Sequence, residues 1–367
     1  MAQTVLVTGA CGFLAPYVIR ELRDNGFLVR ATDLPHADWT PCTDLDCDVR
    51  YADLLHLDQA VEVMDGVDMV VHTAARMNYY LDRASFELAN YHVAVNACEA
   101  ALRQGVERFV HFSTCDTYGP PLYAPVDEDH PQRPINLYAI TKLYGEQAAF
   151  RYHRDRGLPL SVIRPTTVYG PGCVYVMGLF LALPVMVREL GVRRVALPRK
   201  GFLGNLVHAE DIAGATVHIM RSGEALGRAF NVSDDSPLCA GELIETILDS
   251  IGVQGFRVLP VSDTLVRLGS RLGAHLPRAL FAHLNEFLQR RWDRVVFEHG
   301  LVPMLKPRID PGFMAFGRGD YHFDNSRLKS LGYVLRHPDF KKGWDETVRW
   351  YAEQGWIPDY SGQARPE

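Results

Sequence analysis

Thr8-Gly9-Ala10-Cys11-Gly12-Phe13-Leu14-Ala15 stands where an apolar run, Thr4–Thr8, gives way to a helical pattern, Phe13–Asn25. A glycine motif carries meaning only in that setting, between a strand and a helix. Gly9 permits a tight turn, and Gly12 lets backbone N–H groups approach a pyrophosphate. Ala15 is small enough for close packing of helix on strand. The helix start adds partial positive charge where phosphates would lie. A plain strand-to-helix turn could hold the same glycines, so support must come from outside the motif. Asp33 gives it, at the end of the second predicted strand, about twenty residues on. A carboxylate there can accept hydrogen bonds from adenosine ribose hydroxyls and repels a 2′-phosphate, which favours NAD over NADP. Arg30 and His36 nearby pull the other way, and an ordinary strand-end turn is the alternative for Asp33.

Outward from this point, short β-rich runs alternate with helical patterns, the signature of a parallel sheet with crossover helices. The predicted strands are Thr4–Thr8, Leu28–Thr32, Met69–His72, Arg108–Ser113 and Leu160–Arg164, near-continuous apolar runs as expected for strands buried on both faces. Helices are predicted at Phe13–Asn25, Arg83–Gln104 and Leu137–Arg156. Further on come a short strand at Asn205–Val207, a helix at Ala209–Arg221, amphipathic helices across Val261–His299 and a closing helix at Phe340–Gln354. The fold class expected is α/β: a Rossmann-type doubly wound parallel sheet with a smaller, mostly helical C-terminal substrate lobe. Residues 1–172 would form the NAD-binding domain, with 205–234 returning to it; 173–204 and 235–367 would form mainly the substrate lobe.

With 367 residues and 47% apolar content, the chain can bury a sizeable core. A net charge of -6 argues against a nucleic-acid partner. The first residues carry no signal-peptide pattern. The seven cysteines are scattered; Cys42 and Cys47 lack a second pair at metal-ligand spacing, so no metal site is expected. A cytoplasmic protein with reduced thiols is the reading. Pro165–Val187 holds no charged residue and is long enough to span a bilayer. Its Pro165, Gly170, Pro171, Gly172 and Pro184 break a helix, so burial inside the protein or over a greasy substrate is expected instead.

At this stage the residues resemble the extended short-chain dehydrogenase/reductase family, which includes NAD-dependent epimerases and dehydratases and 3β-hydroxysteroid dehydrogenases. Thr8-Gly9-x-x-Gly12-x-x-Ala15 matches its cofactor fingerprint, and Tyr138-Ala139-Ile140-Thr141-Lys142 its Tyr-x-x-x-Lys pair. Asp53-Leu54, Val71-His72-Thr73-Ala74-Ala75, Asn90, Ser113-Thr114-Cys115-Asp116-Thr117-Tyr118-Gly119 and Arg164-Pro165-Thr166-Thr167-Val168-Tyr169-Gly170-Pro171-Gly172 follow in the family's order. So do Leu206-Val207-His208-Ala209-Glu210-Asp211-Ile212-Ala213 and Tyr321-His322-Phe323-Asp324. Each piece is common alone; their joint order over nearly the whole chain is specific. The resemblance implies a catalytic set of Thr114, Tyr138 and Lys142. It implies NAD contacts at Gly9, Cys11, Gly12, Phe13, Leu14, Asp33, Asp53, Leu54, Thr73, Ala74, Ala75, Asn90, Ser113, Pro165 and Val168, with Tyr138 and Lys142. It also implies a homodimer through Arg83–Gln104 and Leu137–Arg156.

The residue types suit the chemistry. Tyr138 and Lys142 share one helix face. A neighbouring ammonium favours the phenolate, so Tyr138 could exchange a proton with an alcohol or ketone while hydride moves to or from nicotinamide. A solvated helix with a half-buried aromatic would show the same pair, and Thr114 could instead cap a turn. Cys115 lacks a partner base and reads as a small buried thiol. Two departures bear on substrate. Sugar-nucleotide dehydratases of this type carry Asp-Glu after the threonine, where this chain has Cys115-Asp116, and many epimerases carry Asn where Thr167 stands. With the apolar Val174–Val187 and the greasy helices after Val261, this favours a hydrophobic, steroid- or lipid-like substrate bearing a secondary alcohol or ketone. Ordinary core or a dimer interface would explain the same apolar residues. Arg193, Arg194 and Arg199 keep open the alternative of a sugar-nucleotide epimerase on tightly held NAD.

Overall fold

The computed structural model describes residues 2–77, 82–260, 268–269, 272–273, 276–309 and 319–360. Its centre is a parallel sheet of strands β1 Thr4–Thr8, β2 Leu28–Asp33, β3 Asp48–Tyr51, β4 Met69–His72, β5 Arg108–Phe112, β6 Leu160–Pro165 and, later in the chain, β11 Ala229–Val232. The spatial order is β11-β6-β5-β4-β1-β2-β3. Both neighbours of β1 run parallel to it, in register from Val5↔Met69 to Thr8↔His72 on one side and from Thr4↔Leu28 on the other. The strand order therefore reverses between β1 and β4, and a doubly wound sheet opens its ligand crevice at the carboxyl ends of those strands.

Each apolar run predicted as a strand in the first half is a strand here. Strand β3 was not expected. All of its residues are exposed, so it lacks the apolar pattern that marks the others. Asp48 pairs with Arg30 at 3.1 Å and Arg50 at 2.9 Å, placing charge on the sheet edge.

Helices α1 Ala15–Asp24 and α7 Ala209–Arg221 bury Val18, Ile19, Ile212 and Ile219 against one face of the sheet. Helices α2 Leu57–Val63, α4 Val93–Gln104 and α5 Leu137–Arg156 cover the other, around Val63, Ala97 and Ala149. The single helix expected over Arg83–Gln104 is three pieces: α3 Arg83–Phe86, a π-helical turn Glu87–His92, then α4. The wider turn carries Asn90, whose side chain is committed to the backbone of Arg76. Such turns shift the residues that follow around the axis, and periodicity does not reveal them.

The smaller lobe mixes helices with paired short strands. β7 Thr167–Tyr169 lies parallel to β10 Leu206–His208, β8 Arg194–Pro198 parallel to β13 Gln254–Leu259, and β9 Leu203–Gly204 antiparallel to β12 Leu238–Cys239. The helices are α6 Val176–Glu189, α8 Ala240–Ser250, α9 Arg278–His299, α10 Ser326–Ser330 and α11 Phe340–Glu353. Trp292, Trp344, Tyr351, Phe340 and Leu181 form the core of α6, α8, α9 and α11, while α10 sets Leu328 into the sheet core beside β11. The apolar stretch flagged in the sequence is α6, with Pro184 inside it and Leu181, Ala182 and Val185 fully buried. Among the described residues, no helix is long and apolar enough to cross a membrane. Of the predicted Val261–His299 helices, residues 261–267, 270–271 and 274–275 lie outside the described residues.

Asp211 fastens the end of the chain to this framework. Its buried carboxylate accepts hydrogen bonds from the backbone N–H groups of Arg336 (2.7 Å) and His337 (2.9 Å) and from the Tyr333 hydroxyl (3.1 Å).

Candidate active site

A cavity of about 710 Å³ opens at the carboxyl ends of β1 and β4. Gly9, Gly12, Phe13, Leu14, Asp33, Asp53, Leu54, Thr73, Ala74, Ala75, Ser113, Thr114, Tyr138, Lys142, Pro165 and Val168 all line it. Of the residues expected to contact the cofactor, Cys11 and Asn90 are not on this wall. Cys11 gives its backbone N–H to Asp33 Oδ2 at 3.0 Å, and its thiol meets that of Cys42. Asn90 is buried behind the wall, where it holds the Arg76 N–H at 2.7 Å, the Arg76 carbonyl at 3.1 Å and Thr141 Oγ1 at 3.1 Å. It braces the strand-end loop against the helix of Tyr138.

The glycine turn is shaped for close approach. Gly9 has φ +67°, and a Cβ there would lie 2.7 Å from the Ala74 Cα. The Gly12 N–H closes the turn itself, on the Gly9 carbonyl at 2.9 Å. Helix α1 starts after Leu14, two residues later than predicted, and Leu14 provides no side-chain cap. The helix therefore begins beside the cavity, where Leu14 and Ala15 line the wall, without the usual side-chain oxygen on its first-turn N–H groups, which suits a pyrophosphate. Asp33 spends one lone pair on Cys11 and another on the Leu34 N–H at 2.8 Å, keeping acceptor capacity for ribose hydroxyls. Arg30, which might have favoured a 2′-phosphate, is committed elsewhere, to Asp48 at 3.1 Å and the carbonyls of Val63 (2.9 Å) and Asp65 (2.7 Å). These features fit a dinucleotide without a 2′-phosphate.

At the other end, the Thr114 hydroxyl is hydrogen-bonded to the Tyr138 phenol and also accepts the Asp116 N–H at 3.2 Å. Thr114 thus caps the turn, the structural alternative for it, and its hydroxyl also touches the phenol. Lys142 is buried, and its ammonium donates to the Phe112 carbonyl. Burial lowers its pKa to about 8, opposed by the charge of Glu146 one turn further along the helix. Tyr138 departs from expectation. Its phenol is raised well above the ordinary tyrosine value, first by burial and then by the carboxylate of Asp116, with the Thr114 hydrogen bond opposing. The ammonium spends itself on a carbonyl and the nearby charge is negative, so the phenol stays protonated at neutral pH.

Asp116 was read in the sequence only as a departure from a pattern. It lines the cavity, and burial raises its pKa to about 6. Tyr175, Met77 and Ser85 line the cavity as well and carried no sequence signal beyond the apolar context of Tyr175. Arg193, Arg194 and Arg199 do not line it. Arg193 donates to the Arg188 carbonyl at 2.6 Å, and Arg194 lies over the Phe256 ring at 5.8 Å.

Behind the wall, Arg164 donates to both oxygens of Glu146 (2.6 and 3.1 Å), to the Tyr118 hydroxyl (2.7 Å) and to the Glu128 carbonyl (3.1 Å). This buried network joins α5 to β6 and fixes the face that carries Tyr138 and Lys142. Two stacked imidazoles, His72 and His111, 5.5 Å apart, fill the space beneath; burial holds both neutral. Among the described residues, His208, Glu210 and His337 bring ligand-type atoms within 4.8 Å of one another. His208 Nδ1 already takes the Glu210 N–H at 3.2 Å, its ring lies tilted against His337 at 3.9 Å, and His337 meets the Glu210 carboxylate at 2.9 Å, the geometry of a helix cap and an ion pair.

The profile of the NAD dependent epimerase/dehydratase family matches residues 5–233. The chain belongs to that family. Its members are enzymes, its cofactor is NAD, and this chain is an oxidoreductase of the extended short-chain type, as the motifs implied. A 3β-hydroxysteroid dehydrogenase/Δ5→4-isomerase of Mycobacterium tuberculosis is 27% identical over 318 residues, covering 83% of this chain and 79% of that protein. A dTDP-glucose 4,6-dehydratase of Streptomyces griseus is 29% identical over 278 residues, covering 72% and 83%. Among solved structures, the Bordetella bronchiseptica enzyme WbmG in complex with NAD superposes with a TM-score of 0.70 at 19% identity, covering 99% of this chain and 98% of that one. This fold likeness extends over the smaller lobe as well as the family domain.

Proposed function

We propose that this epimerase/dehydratase-family enzyme moves hydride between NAD and a secondary alcohol or ketone on a hydrophobic, steroid- or lipid-like molecule, with Tyr138 as general acid/base. One observation carries the reading: the Tyr138 phenol, hydrogen-bonded to Thr114, faces the same cavity as the glycine turn and Asp33. Residues Gly9–Leu14, Asp33, Asp53 and Leu54 would hold the adenosine and pyrophosphate, and Lys142, Pro165 and Val168 the nicotinamide end. When bound, NAD supplies the hydride acceptor or donor. The protein's share is protonic. A phenol kept neutral by burial donates to a ketone oxygen, while Thr114 fixes that oxygen's position. In the oxidative direction Tyr138 would first have to ionise in order to take the alcohol proton, and Asp116, charged above about pH 6, opposes that ionisation.

Support for an apolar substrate comes from Tyr175, Met77, Cys173 and Val168 on the cavity wall and from the steroid dehydrogenase among the relatives. A second reading, a sugar-nucleotide epimerase or dehydratase, is favoured by Asp116, an acid beside Tyr138, and by the dehydratase relatives. A panel of sterol alcohols, hydroxy-lipids and nucleotide sugars, assayed with NAD, separates them. Net NADH formation with a sterol or hydroxy-lipid supports the first, and sugar conversion without net NADH replaces it with the second. Tyr138→Phe should cut kcat by about 10²–10⁴-fold at unchanged thermal stability. Turnover equal to wild type would remove the phenol from the mechanism. We further propose a homodimer through the π turn, α4 and α5, where Tyr91 and Tyr144 meet edge to face at 6.3 Å on a shallow surface hollow. A monomer mass by light scattering would refute it.

A further inference from the structure

Helix α9, Arg278–His299, has two unlike sides. Phe281, Trp292 and Val295 are buried in the lobe core. Leu280 is 52% exposed, Leu284 40% and Phe287 56%, and the same flank continues into Arg291, whose guanidinium lies over the Phe287 ring at 5.6 Å, and exposed Arg294. At 100° per residue these five fall within a single narrow sector. The acids Glu286 and Asp293 lie on a different side, with Glu286 already paired with Arg290, and exposed Glu298 closes the flank one turn beyond Arg294. Just before the helix, Leu272 and Leu276 are 62% and 46% exposed, continuing the spacing of four.

Charge separates this region from the rest. Between Val261 and Arg308 the sequence holds eight Arg or Lys against four Asp or Glu, within a chain whose net charge is -6. An exposed apolar stripe bordered by arginine, on an otherwise acidic protein, is the pattern of a helix that lies in a membrane interface. It is poorly suited to a second copy, because an antiparallel two-fold contact through this flank would bury the charges of Arg291 and Arg294 against its leucine end.

We propose that the Leu280–Phe287 flank of α9 docks the enzyme on an anionic lipid surface, with Leu280, Leu284 and Phe287 entering the headgroup boundary and Arg291 and Arg294 meeting lipid phosphates. The helix lies along the surface and does not cross it. It packs against α6, which begins directly after the cavity-lining Tyr175. A lipophilic substrate leaving the surface would therefore enter next to the cavity wall. Docking itself does not depend on the identity of the substrate.

The test is sedimentation of the full chain with vesicles of phosphatidylcholine alone or with a third phosphatidylglycerol. Binding to the anionic vesicles, weaker in high salt and on the neutral ones, is expected. Arg291→Gln/Arg294→Gln should lower affinity for anionic vesicles by about thirtyfold, and Leu280→Asp/Phe287→Asp should abolish binding. Both variants should keep wild-type melting temperature and NAD affinity. Equal binding by wild type and variants, no binding to either vesicle, or loss of a protein dimer instead of vesicle binding would each overturn the proposal. Because NAD affinity and turnover are measured separately, failure here leaves the oxidoreductase reading intact, and a failed substrate screen leaves docking intact.

Discussion

The Asp33 carboxylate holds the Cys11 backbone N–H at 3.0 Å, so the end of β2 is tied directly to the glycine turn after β1. One side chain thus shapes the glycine turn and lines the cavity where the ribose is proposed to lie. Asp33→Ala should weaken NAD binding by about ten- to a hundredfold, the range for losing hydrogen bonds to a charged acceptor. Discrimination against NADP should shrink with it. Calorimetric titration with both cofactors checks this, and an unchanged NAD affinity would contradict the assignment of Asp33 to the ribose.

Asp116 gives a pH signature. Its pKa is raised to about 6 by burial, so it is neutral below that value and charged above. A carboxyl with a raised folded pKa contributes stability at low pH that is lost as pH rises through about 6. Asp116→Asn should therefore raise the melting temperature at pH 8 and not at pH 4. It should also erase the inflection near pH 6 in the rate profile and lower the pKa of Tyr138, by removing the charge that opposes phenolate. An intact inflection in the variant would assign it to another group.

The Arg164–Glu146 pair is buried, with side-chain exposures of 6% and 2%. Removing one partner strands the other, and such deletions cost about 3–5 kcal/mol. Glu146→Ala should lose that much in urea unfolding and, among molecules that still fold, shift the Lys142 titration further below about 8, because Glu146 is the charge that holds it up. A loss under about 1 kcal/mol would mean that the network is not cooperative.

Acid sensitivity should come from the histidines beneath the site. Burial lowers His72 to about 3, while its unfolded value is near the ordinary 6.5. Depression of a histidine gives stability that is complete above the unfolded pKa and is lost as pH falls towards the folded one. One such group contributes a slope of about 1.4 kcal/mol per pH unit through the window between them. His72→Asn should flatten unfolding free energy against pH between 6 and 4 by about one proton. An identical slope would place the acid sensitivity elsewhere.

Much of the sheet was legible because parallel strands buried on both faces are written as apolar runs with nothing to imitate them locally. Edge strand β3 was not, since Asp48 and Arg50 answer to solvent and to each other. Nor was the π turn at Glu87–His92, whose extra residue shifts the register with no Gly or Pro to mark it. At the site, residue types and spacing pointed to the cavity wall, while the electrostatics did not follow from spacing. Lys142 and Tyr138 are one turn apart, but what each ionises against is set by the Phe112 carbonyl and by Asp116, which arrive from another strand end. Asn90 shows the same limit: a motif position can be right and its partner a loop backbone.

The clasp on Asp211 has a consequence for how the molecule is made. Strand β11 completes the sheet, yet the carboxylate at the start of α7 waits for Tyr333, Arg336 and His337, more than a hundred residues downstream. Until those residues are made, the carboxylate and the core face that Tyr333 and Leu335 cover stay open to water, so the nucleotide half should mature only when synthesis is nearly finished.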